Sequence, residues 1–137
     1  MDTTLEQSAR ARLITADGQE LTVPAMLRYA SADPLAVHID FPPEASLDGE
    51  EVTWTFSRIL LEEGLEQPAG AGDVHFWPCG GARTAIELHS RSGMALLQFD
   101  TPALRRFLLR SYAVVAPGRE DVGAAVDRGL SALFGAV

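Results

Sequence analysis

The sequence has no lysine. Its eleven basic residues are all arginine, and nineteen carboxylates outnumber them, so the 137-residue chain carries a formal charge of −8. An acidic excess keeps a protein soluble and repels polyanions, which disfavours nucleic-acid binders that rely on the phosphate backbone. Cysteine is almost absent. Cys79 stands alone, so no intrachain disulfide can form, and a reducing compartment fits. Long apolar runs are missing too. The longest are a few residues, far short of the ~20 a membrane-spanning helix needs. The opening Met1-Asp2-Thr3-Thr4-Leu5-Glu6 is acidic and polar, without the basic and apolar regions of a signal peptide. The expectation is a cytoplasmic protein, one domain spanning residues 1–137. At that size roughly two thirds of the unfolded surface can be buried, enough for a core without disulfides or metals.

Catalytic motifs are scarce as well. His38, His75 and His89 all fall on the polar parity of alternating segments, which reads as a solvated sheet face. His75 and Cys79 are the one close ligand pair, whereas zinc needs three or four converging ligands. No Gly-x-Ser-x-Gly elbow occurs, and no basic residue adjoins Cys79 to activate its thiol. Glu44, Asp48, Glu50, Glu51, Glu62 and Glu63 are spread over loops and helix ends, where carboxylates usually serve solvation. Gly70-Ala71-Gly72-Asp73 is the sole candidate phosphate loop. It precedes a strand rather than opening a helix, and it lacks the Lys-Ser/Thr of a P-loop. Neither an enzyme nor a cofactor is expected.

What is present is strand alternation. Leu35, Val37, Ile39 and Phe41 take one face, with Ala36, His38 and Asp40 opposite. Val52, Trp54 and Phe56 repeat the pattern against Glu51, Thr53, Thr55 and Ser57. Period two marks half-buried strands, and the acidic, proline-bearing segment 42–50 closes them into an antiparallel hairpin. Residues 4–15 and 20–29 read as a second hairpin, turning at Asp17-Gly18. Pro24 predicts an edge strand or a bulge there. Ser57 can cap a short helix over Arg58–Glu63 that Gly64 stops. Leu65 to Gly72 then reads as a loop.

Three strands are predicted near 73–77, 84–90 and 94–99, with turns at Gly80-Gly81 and Ser92-Gly93. Matching apolar faces sets Val74 opposite Leu88 and Phe76 opposite Ile86. That register puts His75 beside Glu87 and Asp73 beside His89. Thr101-Pro102 opens a helix with Leu104, Phe107, Leu108 and Ser111 on one face, and Pro117-Gly118 breaks it. Asp121 can cap a last helix, unusual for Gly123, Gly129 and Gly135. The order ββββ-α-βββ-αα makes an antiparallel α+β fold.

Three stretches carry a family likeness. One is Met26-Leu27-Arg28-Tyr29-Ala30-Ser31-Ala32-Asp33-Pro34-Leu35-Ala36-Val37-His38. The second runs from Trp54 to Leu65 and continues through Pro68, Gly70, Gly72-Asp73-Val74 and Trp77-Pro78. The third is Phe107-Leu108 with Arg110, then Pro117-Gly118 and Glu120. Together they resemble the SsgA-like proteins, sporulation and cell-division regulators of actinomycetes. Ile59 departs from the pattern, since an acidic residue is expected after the arginine. That weakens any role for a charged pair at the start of the helix.

The resemblance implies a strand-rich, barrel-like core with packed helices, similar to the whirly single-strand nucleic-acid-binding fold. It implies a homo-oligomer, a trimer. It also implies a non-enzymatic role at division septa: marking septum sites and recruiting the division GTPase FtsZ, with an SsgA-type protein as a further partner. Candidate contact surfaces are Gly70, Gly72 and Asp73 with Trp77; Arg58, Glu62 and Glu63 on the short helix; and the Pro117-Gly118 corner. The alternative is a whirly-like single-strand binder, using Arg105, Arg106 and Arg110 with Trp54, Trp77 and Tyr29 as stacking groups.

Overall fold

In the computed structural model, residues 2–45, 49–91 and 93–120 are described. Among them eight strands form one antiparallel sheet with two α-helices and a 3₁₀ turn at Pro43–Ala45. The strands are β1 (Thr4–Ile14), β2 (Glu20–Ala30), β3 (Ala36–Phe41), β4 (Val52–Ser57), β5 (Ala69–Ala71), β6 (Val74–Cys79), β7 (Arg83–Ser90) and β8 (Gly93–Asp100). Helix α1 (Arg58–Gly64) follows β4, and α2 (Thr101–Val114) follows β8. The sheet order is β4-β3-β2-β1-β8-β7-β6-β5. Each half of the chain is therefore a four-stranded meander followed by a helix. The halves join where Ala11–Ile14 pairs with Leu96–Phe99.

The order departs from the expected one in two places. The loop after Leu65 contains the short strand β5, because Ala69 and Ala71 pair with Phe76 and Val74. The expected helix after Asp121 lies outside the described residues.

The β1–β2 hairpin pairs one-to-one from Thr4↔Ala30 to Ile14↔Glu20. Its turn is shaped by Gly18 at φ +83. Pro24 is neither bulged nor on an edge strand, since β2 lies between β1 and β3. Its effect is local. Ser31 N–H donates to Thr3 O at 2.8 Å, so odd residues of β2 bond to β1 and even ones face β3. The β2–β3 ladder covers Met26–Arg28 opposite Asp40–His38. The next rung would set Pro24 against Pro42. Neither proline has an N–H, so that rung cannot form. The strands part there, opening a cleft of about 650 Å³ lined by Ala9, Ala25, Met26, Phe41, Arg10 and Glu51.

The sheet curls so that its ends approach. Phe56 of β4 and Phe76 of β6 meet edge to face at 5.0 Å. Helix α1 joins the end strands and sinks Leu60 and Leu61 into the core, with Leu65 just beyond. Ser57 caps it, its hydroxyl accepting from Leu60 N–H at 2.9 Å. Gly64 does not stop the helix by a left-handed turn, because Leu65 caps it at φ −73. Glycine is required there by packing: a Cβ would stand 2.2 Å from Phe76 Cβ. Helix α2 places Leu104, Phe107, Leu108 and Ser111 on its buried face, as the spacing predicts. The result is a nearly closed, barrel-like sheet.

Candidate interaction surface

The predicted register of β6 and β7 holds. Val74, His75 and Phe76 oppose Leu88, Glu87 and Ile86, and His89 N–H donates to Asp73 O at 2.8 Å. On the outer face His75 and His89 stack edge to face at 5.6 Å, and the His89 ring bonds to Glu87 in its own strand. The His75 ring lies across β5, where a Cβ on Gly70 would meet Nδ1 at 2.1 Å. Gly70, His75 and half-buried Trp77 line a shallow depression of about 350 Å³. Gly72, at φ +60, and exposed Asp73 form the adjoining turn.

Arg58 departs from its expected place on a contact surface. It is 2% exposed, one of the largest fully buried side chains. Its guanidinium carbon sits 4.9 Å from the ring centroids of both Tyr29 and Tyr112. Its Nη1 donates to Ser111 O at 3.1 Å and Val115 O at 2.7 Å. Its Nη2 donates to Ala116 O at 3.5 Å and forms an ion pair with Glu120. A helix C-terminus leaves its last carbonyls short of intrahelical donors. Here Arg58 supplies Val115 O and adds a second donor to Ser111 O, which also accepts from Val115 N–H at 2.9 Å. The segment 115–120 is thereby tied to α1, with Gly118 at φ +80 and Arg119 N–H on Ala116 O at 2.9 Å. Arg58 is a positioning residue for the Pro117-Gly118 corner. The clue in the sequence is a charge between capping Ser57 and the apolar Leu60-Leu61; nothing in the sequence says where it points.

The electrostatics follow from this packing. The hydrogen bond from Arg58 holds the Glu120 carboxyl below its ordinary value. The Arg28 fork, bidentate on Asp40 at 2.9 and 3.0 Å, does the same for Asp40. Burial pushes the Tyr112 phenol up to about 12, and the carboxylate of Glu62 adds to it. Glu62 acts there through its charge, because the Tyr112 hydroxyl has no partner within hydrogen-bonding geometry. Burial lowers the pKa of His38, whose Nδ1 meets Thr55 Oγ1 at 2.8 Å.

The candidate residues do not form one site. Gly70 and Trp77 share the depression beside the Gly72-Asp73 turn. Glu62 and Glu63 are exposed on α1, and Pro117 and Gly118 are exposed at the corner that Arg58 holds. The groups proposed for base stacking fare worse. Tyr29 is fully buried, its hydroxyl donating to Pro34 O at 2.9 Å. Arg105 pairs with Glu66 at 3.0 Å, and Arg110 donates to Gln7 at 2.9 Å. The main cleft mixes Arg10 with Asp40 and Glu51, so it is not a basic groove. Among the described residues no group of three or more His, Cys, Asp or Glu is placed to hold a metal ion. Cys79 is half-buried and accepts from Gln98 Nε2 at 3.4 Å. Among the described residues no helix is long and apolar enough to cross a membrane.

Two meanders curled into one sheet, each closed by a helix, define a strand-rich antiparallel α+β class. Residues 23–120 match the family model described as Streptomyces sporulation and cell division protein, SsgA, and the chain belongs to that family. Among curated relatives, the sporulation-specific cell division protein SsgB of Salinispora tropica is 47% identical over 133 residues, covering 92% of each chain. SsgB of Streptomyces coelicolor is 43% identical over 134 residues, covering 96% of each. A solved structure of S. coelicolor SsgB superposes with a TM-score of 0.78 at 43% identity, over 88% of this chain and 94% of that one. The SsgA-like sporulation-specific cell division protein of Thermobifida fusca gives 0.79 at 31% identity, over 94% of each.

Proposed function

We propose that this chain is a non-enzymatic cell-division protein that marks septum sites and tethers FtsZ during sporulation-type division. The supporting observation is the similarity to SsgB proteins at 43–47% identity over nearly the whole chain, with the fold shared. Their printed names assign those relatives to sporulation-specific cell division. In this reading the protein acts as a homo-oligomer, a trimer, in the cytoplasm at the septum, with an SsgA-type protein as a second partner. The exposed candidates for contact are Glu62 and Glu63, the Gly70–Asp73 turn with Trp77, and the Pro117-Gly118 corner. The burial of Tyr29, and the pairing of exposed Arg105 with Glu66 and Arg110 with Gln7, weigh against a whirly-like single-strand binder.

Co-sedimentation with FtsZ polymers tests the proposal. The protein is expected in the pellet when FtsZ polymerises and in the supernatant when it does not. Absence from the pellet, with tight salt-sensitive binding to single-stranded DNA, would reverse the order of the two readings.

A further inference from the structure

The two ends of the sheet are protected differently. Natural edge strands are blunted by shortness, lysine, proline, bulges or inward charges, because an open edge is a template for another strand. At one end, β5 is three residues long. The His89–Asp73 bond sets the parity of β6, so Ala69 and Ala71 bond inward and Gly70 alone turns its backbone outward.

At the other end, β4 has none of these devices. Val52–Ser57 contains no proline, no charge and no bulge, and it pairs with β3 residue for residue. Arg58 N–H donates to Leu35 O at 2.8 Å, continuing that register. Val52, Trp54 and Phe56 therefore bond to β3, while Thr53 and Thr55 direct their N–H and C=O groups to the open side. Among the described residues nothing bonds to those backbone groups. The threonine hydroxyls are turned back along the sheet, Thr53 to Asp40 at 2.7 Å and Thr55 to His38. The inward side chains of Val52 and Trp54 are only partly covered, unlike Phe56.

We propose that the open edge of β4 takes an extended, lysine- or arginine-bearing segment of a partner protein as an added strand. Backbone pairing at Thr53 and Thr55 supplies affinity, and cover over Val52 and Trp54 adds apolar burial. The charge follows from the flanks: exposed Glu50 and Glu51 precede β4, and exposed Glu62 and Glu63 follow it on α1. A second copy fits worse, since pairing two β4 edges would bring the same acidic flanks together on chains of charge −8. The inference names backbone chemistry, so it stands apart from the FtsZ reading.

The test uses the full chain and a synthetic peptide of about ten residues that alternates valine or threonine with lysine. Amide hydrogen exchange is followed residue by residue. Exchange at Thr53 and Thr55 is expected to slow by about tenfold or more with the peptide. A twin peptide N-methylated at every residue, which blocks both edges of the added strand, and a twin with glutamate for lysine, are expected to give no protection. Thr55→Pro removes one outward N–H and leaves the β3 ladder intact, so it is expected to abolish the effect, while Thr55→Val is expected to retain it. The N-methylated peptide carries the test if Thr55→Pro fails to fold. Equal protection by the N-methylated or the acidic peptide overturns the proposal, as does no protection at all. Concentration-dependent protection of these amides without peptide, with self-association in sedimentation, would assign the edge to a second copy instead.

Discussion

Removing the guanidinium of Arg58 would leave Val115 O without its donor, take a second donor from Ser111 O and the ion pair from Glu120, and leave Tyr29 and Tyr112 facing a void. Breaking a buried pair from one side costs about 3–5 kcal/mol. Arg58→Ala is expected to lose stability of that order in urea titrations. Arg58→Lys should recover little of it, because an ammonium lacks the fork that spans several carbonyls. Acid provides a second check. The folded-state pKa values of Glu120 and Asp40 lie below their ordinary 4.5 and 3.8, so both carboxylates contribute stability above those values that is lost as pH falls through the lower folded ones. His38, depressed from 6.5, acts in the same direction: below 6.5 the unfolded chain takes up its proton first and the fold loses ground. Denaturant midpoints are expected to fall from about pH 6.5 downward and more steeply below about pH 4.5. Glu120→Gln should flatten the acidic part of that curve.

Elements here are terminated by chemistry more specific than propensity. The β2–β3 ladder stops where two prolines would share a rung. Replacing both, as Pro24→Thr with Pro42→Val, restores the missing donors. The ladder is then expected to extend and narrow the cleft, read as new exchange protection at positions 24 and 42. Gly64 ends its element by contact instead. Gly64→Ala drives a methyl into the backbone-anchored Cβ of Phe76 and is expected to cost about 1–3 kcal/mol in thermal or urea unfolding. Gly70→Ala meets the His75 ring, which can swing outward from its half-exposed position. It should cost clearly less. Reversal of that order would show that β5, rather than α1, is the rigid partner.

For the whole molecule, closure is a side-chain matter. The end strands share no ladder; Phe56 and Phe76 meet across the gap, and α1 fills it. Phe56→Ala is therefore expected to cost about 3–5 kcal/mol and to loosen both ends of the sheet together, seen as lost exchange protection in β4 and β6. The long β1–β2 hairpin carries the curvature. One end of it pairs with β3, and the other pairs with β8. That offset lets two meanders form one curled sheet.

The sequence by itself determined seven of the eight strands, their faces and the β6–β7 register, because period two and turn residues act within a few neighbours. It also determined the acidic charge and the family likeness. The short strand β5 was not legible, since Ala69-Gly70-Ala71 has no alternation and exists by pairing with β6. Arg58 was legible as a charge on a capped helix but not as a buried one, because its hydrogen-bond partners lie 53–62 positions away. Likewise Gly64 read as a helix stop until Phe76 was placed against it. Contacts between residues distant in the chain depend on how the sheet curls. Only the tertiary structure decides that, and with it which charge is buried and which strand edge stays open.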